Sequence, residues 1–159
     1  LGPTGVLAAV PEGGRGPGDR VRLVPWGDER VPARPPEPPW PGRLPAPSPA
    51  TVFPEPVPVE VRDAAGDPVR VTGRVAVVSP PSTVALPGDR ADKADRAGDR
   101  AGDRVHVVAG WSGPWPVVER WWDPTAATRL ARFQVLLDTG TALLLALEDG
   151  RWWLEGVYD

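Results

Sequence analysis

Twelve prolines fall between residues 31 and 58 of a 159-residue chain. Proline has no N–H to donate and a fixed φ, so this stretch suits neither a helix nor a central strand. It reads as an extended, polyproline-like arm. The same stretch carries Trp40, Leu44, Val52 and Phe53. A pure linker rarely needs such side chains, so part of the arm is expected to lie along a folded surface. With 23 prolines and 18 glycines in the chain, a core must be local, and a hydrophobic fraction of 41% still allows one.

On both sides of the arm the pattern changes. Residues 1–10 suit one or two short helical turns, with Pro3 in the first turn. "EGGRGPGD", residues 12–19, reads as a flexible join. "RVRLVPW", residues 20–26, alternates as a short strand. After the arm, "VPVEV" (57–61) places valine on alternate positions and "DAAGD" (63–67) has turn chemistry. "PVRVTGRVAVV" (68–78) follows as one bent strand or two short ones, with Gly73 a bulge or kink. Together these predict a hairpin. "GDRADKADRAGDRAGDR" (88–104) repeats Ala-Asp-Arg units and has nothing to bury, so a disordered, solvated insertion is expected.

The last third alternates most clearly. "RVHVVAGW" (104–111) and "PVVERWW" (116–122) read as two strands. A three-stranded meander follows over 129–138, 141–148 and 151–159. Asp149-Gly150 is a strong two-residue hairpin signal, and Thr139-Gly140 a weaker one. The expected fold is all-β: a small antiparallel sheet, a partly open barrel or a sandwich. It divides into a short helix and join (1–19), a strand with the proline-rich arm (20–56) and the β domain (57–159).

Residues 110–124, "GWSGPWPVVERWWDP", hold four tryptophans, and "RWWLEGVYD" closes the chain with two more. Side chains alternate along a strand. Trp121 and Trp122 therefore point to opposite faces. Trp152, Leu154 and Tyr158 point one way, and Trp153 and Val157 the other. Phe133, Val135 and Leu137 share a face, as do Leu143, Leu145 and Leu147. Two readings stay open. Either all rings are structural, or one ring of each pair forms an exposed aromatic surface for a partner or for bases. The candidate contacts are Trp111, Trp115, Trp121, Trp122, Trp152, Trp153 and Tyr158. Arg120, Arg132, Arg151 and Asp123 accompany them, with Arg129 a further source of charge.

Chemical machinery is sparse. The chain has no cysteine, so disulfides and thiolate metal sites are excluded. The single histidine, His106, has no second His or Cys for a metal site. The serines lack a nucleophile-elbow setting. "EGGRGPGD" lacks the ending of a phosphate loop. No catalytic constellation and no cofactor are expected. A net charge of −3 argues against a strongly basic nucleic-acid clamp, though not against a local basic face. No apolar run approaches the length of a membrane span. The first residue is Leu1 rather than methionine, which suggests a fragment or a processed chain, and the N-terminus is a poor signal peptide. A soluble, cytoplasmic location is the expectation.

In order, "RVRLVPWGDER", "PWPGRLPAPSPATV", "VEVRDAAGDPVRVTGR", "GWSGPWPVVERWWDP" and "RFQVLLDTGTALLLALEDGRWWLEGVYD" resemble the C-terminal region of actinobacterial ImuB-type proteins. These are the polymerase-like members of the Y family of DNA polymerases. The resemblance covers nearly the whole chain apart from the Asp-Arg repeat. "LGPTGVLAAVPEGGRGPGDRV" resembles the join that follows the polymerase-like core. The resemblance implies a non-catalytic adaptor in damage-induced, error-prone translesion synthesis. It implies contacts with a RecA-like ImuA-type protein and an error-prone replicative-type polymerase. The polymerase segments are not in this chain, and the family's clamp-binding peptide lies upstream of the matched part. "RLVPWG" (22–27) is only superficially like a clamp peptide, because it lacks the leading glutamine. Sliding-clamp contact is therefore expected mainly through parts outside this chain. The rival reading is a single-stranded DNA-binding β-barrel using exposed Trp and Arg.

Overall fold

The computed structural model describes residues 5–37, 41–72, 76–88, 103–119, 122–123 and 128–158. It is nearly all β, as the alternation predicts. A two-stranded ribbon pairs β1 (Leu7–Pro11) with β2 (Val21–Pro25). The other strands are β3 (Thr51–Arg62), β4 (Thr83–Leu86), β5 (Arg104–Glu119), β6 (Thr128–Leu137), β7 (Ala142–Glu148) and β8 (Arg151–Tyr158). Each pairs antiparallel with the next, and β8 returns to β3, closing a six-stranded ring. This is an up-and-down meander.

The closure is narrow, because it runs through β4. That strand meets β3 at Glu60 to Arg62 and β5 at Arg104 to Val107. In β3, residues 51, 52 and 57–59 pair only with β8, with a register shift between Val52 and Val57. In β5, residues 110–112 and 115–119 pair only with β6, with a shift between Ser112 and Trp115. Each stretch has one free edge among the described residues. Proline sits in both: Pro54, Pro56 and Pro58 in β3, Pro114 and Pro116 in β5. Proline is tolerated at a sheet edge, where no ladder bond is lost. Pro54 and Pro56 fall in the register shift between Val52 and Val57, and Pro114 in that between Ser112 and Trp115, where the ladder needs no donor. The arm's last third is thus a strand, where the sequence predicted irregular chain.

The core-facing residues are those the alternation selects. Phe133, Val135, Leu137, Leu143, Leu145, Leu147, Trp152 and Leu154 form the main cluster with Val61, Val69 and Val84. A register shift between Leu144 and Leu145 makes Glu155 an extra residue in β8. Beyond this bulge the alternation reverses. Val157 packs on the core, and the Tyr158 hydroxyl instead accepts from Gln134 Nε2 at 2.9 Å. The expected face for Tyr158 is therefore corrected. The β7–β8 turn has positive φ at Asp149 (49°) and Gly150 (75°), as its sequence demands.

Other expectations also change. Residues 7–11 are a strand, not helical turns, because pairing with β2 buries Ala8 and Val10 against Val24. The glycine-rich join is packed rather than free. Gly13, Gly14, Gly16 and Pro17 are buried, and Pro17–Arg20 forms one 3-10 turn. Residues 104–119 are one strand with two register shifts instead of two strands. The expected hairpin about 63–67 is present but short: Asp63 N donates to Asp67 O and Val69 N to Val61 O. The described part of 68–78 adds the bridges Arg62↔Pro68 and Val71↔Val77, with bonds from Thr72 N to Ala76 O and Val78 N to Arg70 O. Pro68 has no N–H to extend a ladder. Residues 89–102, most of the Asp-Arg insertion, lie outside the described residues.

The arm does lie on the domain. Leu44 and Pro49 are buried, and Arg20 Nη2 donates to Leu44 O at 2.7 Å. Gly42 has φ +78°, and a Cβ there would sit 2.3 Å from Pro116 O. The Gly42→Ala substitution is expected to lift this part of the arm and cost about 1–3 kcal/mol. Faster tryptic cleavage at Arg43 and a lower urea midpoint report it. Unchanged cleavage would refute the docking.

Candidate interaction surface

The outer face of the ring carries one transverse row through the predicted contacts. Trp115 stands opposite Arg132, Arg132 opposite Ala146, Ala146 opposite Trp153, and Trp153 opposite Pro58. At the ~4.8 Å strand spacing, Trp115 and Trp153 are roughly 14 Å apart. Both are half-buried. They do not make a continuous stacking platform.

Between them Arg132 is 9% exposed. Its Nε donates to Glu155 Oε2 at 2.6 Å and its Nη2 to Glu155 Oε1 at 3.0 Å. Such a forked pair is strong and geometrically defined. Gly16 lies over it: a Cβ there would approach Arg132 Nη2 to 2.9 Å. The glycine-rich join is therefore a close-packed cover. As a contact residue Arg132 is corrected, since its donors are committed inside the fold.

Trp152 is corrected likewise. It is 6% exposed, its Nε1 donates to Val69 O at 3.0 Å, and its ring lies 5.0 Å from that of Phe133. Trp111 shares the core-facing side with Val135 and packs 6.2 Å from Phe133, yet stays 38% exposed beside the free edge of β5. Trp122 is 69% exposed and Asp123 half-buried. Arg151 is exposed at the start of β8, opposite Glu148. Arg120 and Trp121 lie outside the described residues, so the predicted split of the Trp121–Trp122 pair does too. The Trp152–Trp153 pair does split, one ring inward and one outward.

Two surface features were missed from sequence. The ribbon exposes Leu7, Val21, Leu23 and Trp26, with the Arg30 guanidinium 4.5 Å above the Trp26 ring. The signal was available, since β1 is apolar on both alternating faces and β2 is interrupted only by Arg22. The second is a cleft of about 610 Å³ at the ring's mouth beside the β7–β8 turn, bordered by Arg70 and Arg129. Its signal was Arg129, two residues beyond Ala131 on the core-facing side of β6.

The ribbon is joined to the arm through Glu12. Its buried carboxylate accepts from Arg22 Nε at 2.6 Å and Ala33 N at 3.2 Å, with Arg34 Nε at 3.6 Å. The Ala33 N–H, then Arg22 and Arg34, hold this carboxyl below its ordinary value of 4.5, against the opposing effect of desolvation. A depressed folded-state pKa stabilises above the unfolded value and is lost as pH falls through the folded one. The ribbon–arm contact is thus expected to loosen as pH falls below about 4.5. Hydrogen exchange of ribbon amides checks this. The Glu12→Gln variant should lose that pH dependence, and a profile identical to the wild type would count against the assignment.

Among the described residues, no group of three or more His, Cys, Asp or Glu gathers to hold a metal ion. No helix there is long and apolar enough to cross a membrane. No protein-family model, curated protein or solved structure matches the chain.

Proposed function

We propose that this chain is a non-catalytic interaction module of a DNA-damage-induced, error-prone translesion-synthesis protein of the ImuB type. It contacts an ImuA-type RecA-like protein and an error-prone replicative-type polymerase from the cytoplasm. The observation that carries the reading is the ordered set of motifs, above all "GPWPVVERWWDP" and "GRWWLEGVYD". The surface supports an adaptor's role. Trp122 and Trp111 are exposed, and Trp115 and Trp153 half-exposed. A protein partner fits this arrangement better than single-stranded DNA. Arg132 is tied to Glu155, Trp152 belongs to the core, and Trp115 and Trp153 stand three strands apart.

Co-purification of the chain with the two partner proteins tests the reading, and association at micromolar concentration is the expected result. No association would overturn it. Salt-sensitive quenching of tryptophan fluorescence by an oligonucleotide, without partner association, would point to the DNA-binding alternative.

A further inference from the structure

The cleft at the ring's mouth has a chemistry that the tryptophan surface lacks. Its lining includes the buried core-facing side chains Val69, Ala131 and Leu147. Arg70 and Arg129 stand exposed at its border. Along β6 the core-facing row runs Leu137, Val135, Phe133, Ala131, all buried, and then reaches Arg129. A guanidinium therefore ends a hydrophobic row instead of another apolar side chain. Arg70 lies between Val69 and Val71, which both pack on the core. Among the described residues neither guanidinium makes an ion pair or a hydrogen bond, although Asp149 lies on the same rim.

We infer that this cleft binds an acidic peptide segment, seating one apolar side chain on that lining and its carboxylates against Arg70 and Arg129. The volume of about 610 Å³ lies within the range of ligand-binding clefts. Arginine's planar fork suits carboxylate recognition. Among the described residues no aromatic ring lines the cleft, and Asp149 on its rim disfavours a uniform polyanion. These points favour a peptide over nucleic acid. The inference rests on the interaction-module reading and names a surface for it.

Fluorescence anisotropy of the full chain tests it with three labelled twelve-unit probes: a peptide alternating Asp and Leu, one alternating Lys and Leu, and oligo-dT. The Asp-Leu peptide is expected to bind at least about ten-fold more tightly than either other probe. The paired reversal Arg70→Glu with Arg129→Glu should abolish that preference, and Arg70→Gln with Arg129→Gln should reduce it. Arg104→Glu, at the other end of β5, should leave it intact. Equal binding of both peptides overturns the inference, as does indifference to the paired reversal. Preferential oligo-dT binding lost on that reversal overturns it in favour of nucleic acid. The two readings fail separately. Partner association without Asp-Leu binding sinks the cleft alone, and Asp-Leu binding without partner association sinks only the translesion assignment.

Discussion

Replacing Phe133 with alanine is expected to destabilise the barrel by about 3–5 kcal/mol. The ring is 0% exposed, with centroids 5.0 Å from Trp152 and 6.2 Å from Trp111 in tilted arrangements. Truncation removes its apolar burial, leaves a cavity and breaks two aromatic contacts, each worth roughly 0.5–1.5 kcal/mol beyond area. A domain of this size is stable by only about 5–15 kcal/mol, so the loss is a large fraction. Urea denaturation followed by tryptophan fluorescence measures it. Leu136, three places beyond Phe133 and 43% exposed, provides the contrast. Leu136→Ala should change stability much less, by about 0.5 kcal/mol. Equal losses at the two sites would mean that Phe133 is not central to the core.

Phe133 also shows what the sequence makes legible. Alternation in β6, β7 and the start of β8 identifies the inward residues, because one face of each strand must leave water. The Asp149-Gly150 turn is equally readable, since few residue pairs accept its backbone. Three features escape that logic. The bulge at Glu155 reverses the faces of Val157 and Tyr158, and its one signal, the in-strand Gly156, does not say where the extra residue falls. β4, only four residues long, has too little pattern to stand out, yet it closes the ring. Residues 51–58 look unfit for a strand because proline is judged as though both edges needed donors throughout, whereas β8 pairs with 51, 52, 57 and 58 and a register shift takes up Pro54 and Pro56. The site follows the same division. Burial of Trp152 and the outward Trp153 fit the split of that pair, but the commitment of Arg132 depends on a carboxylate 23 positions away. The fate of the glycine-rich join was hidden too. Its glycines resemble a flexible linker locally, yet Gly16 is required by close packing on Arg132 and Gly14 by close packing on Asp19.

The second large effect is expected at that pair. With side chains 11% and 14% exposed, Arg132 and Glu155 are well beyond a surface ion pair. Removing one charge leaves the other desolvated, and the cost for such a pair is about 3–5 kcal/mol. Glu155→Ala should strand the guanidinium beneath Gly16, and Arg132→Ala should strand the carboxylate on the β8 bulge. Exchanging both, as Arg132→Met with Glu155→Leu, removes the attraction and the desolvation penalty together and should cost less than either single change. Urea denaturation of the three variants reads the difference. A loss below ~1 kcal/mol in both single variants is the surface-pair result, and it would mean that the N-terminal layer does not cover the pair. The same variants probe the role of Arg132. If it serves the fold, Glu155→Ala loosens the join, seen as faster hydrogen exchange across residues 13–18, without creating DNA affinity. If Arg132 were held in reserve for phosphate, freeing it would instead raise oligonucleotide binding. A stable, better DNA-binding Glu155→Ala variant would reverse the assignment made to Arg132.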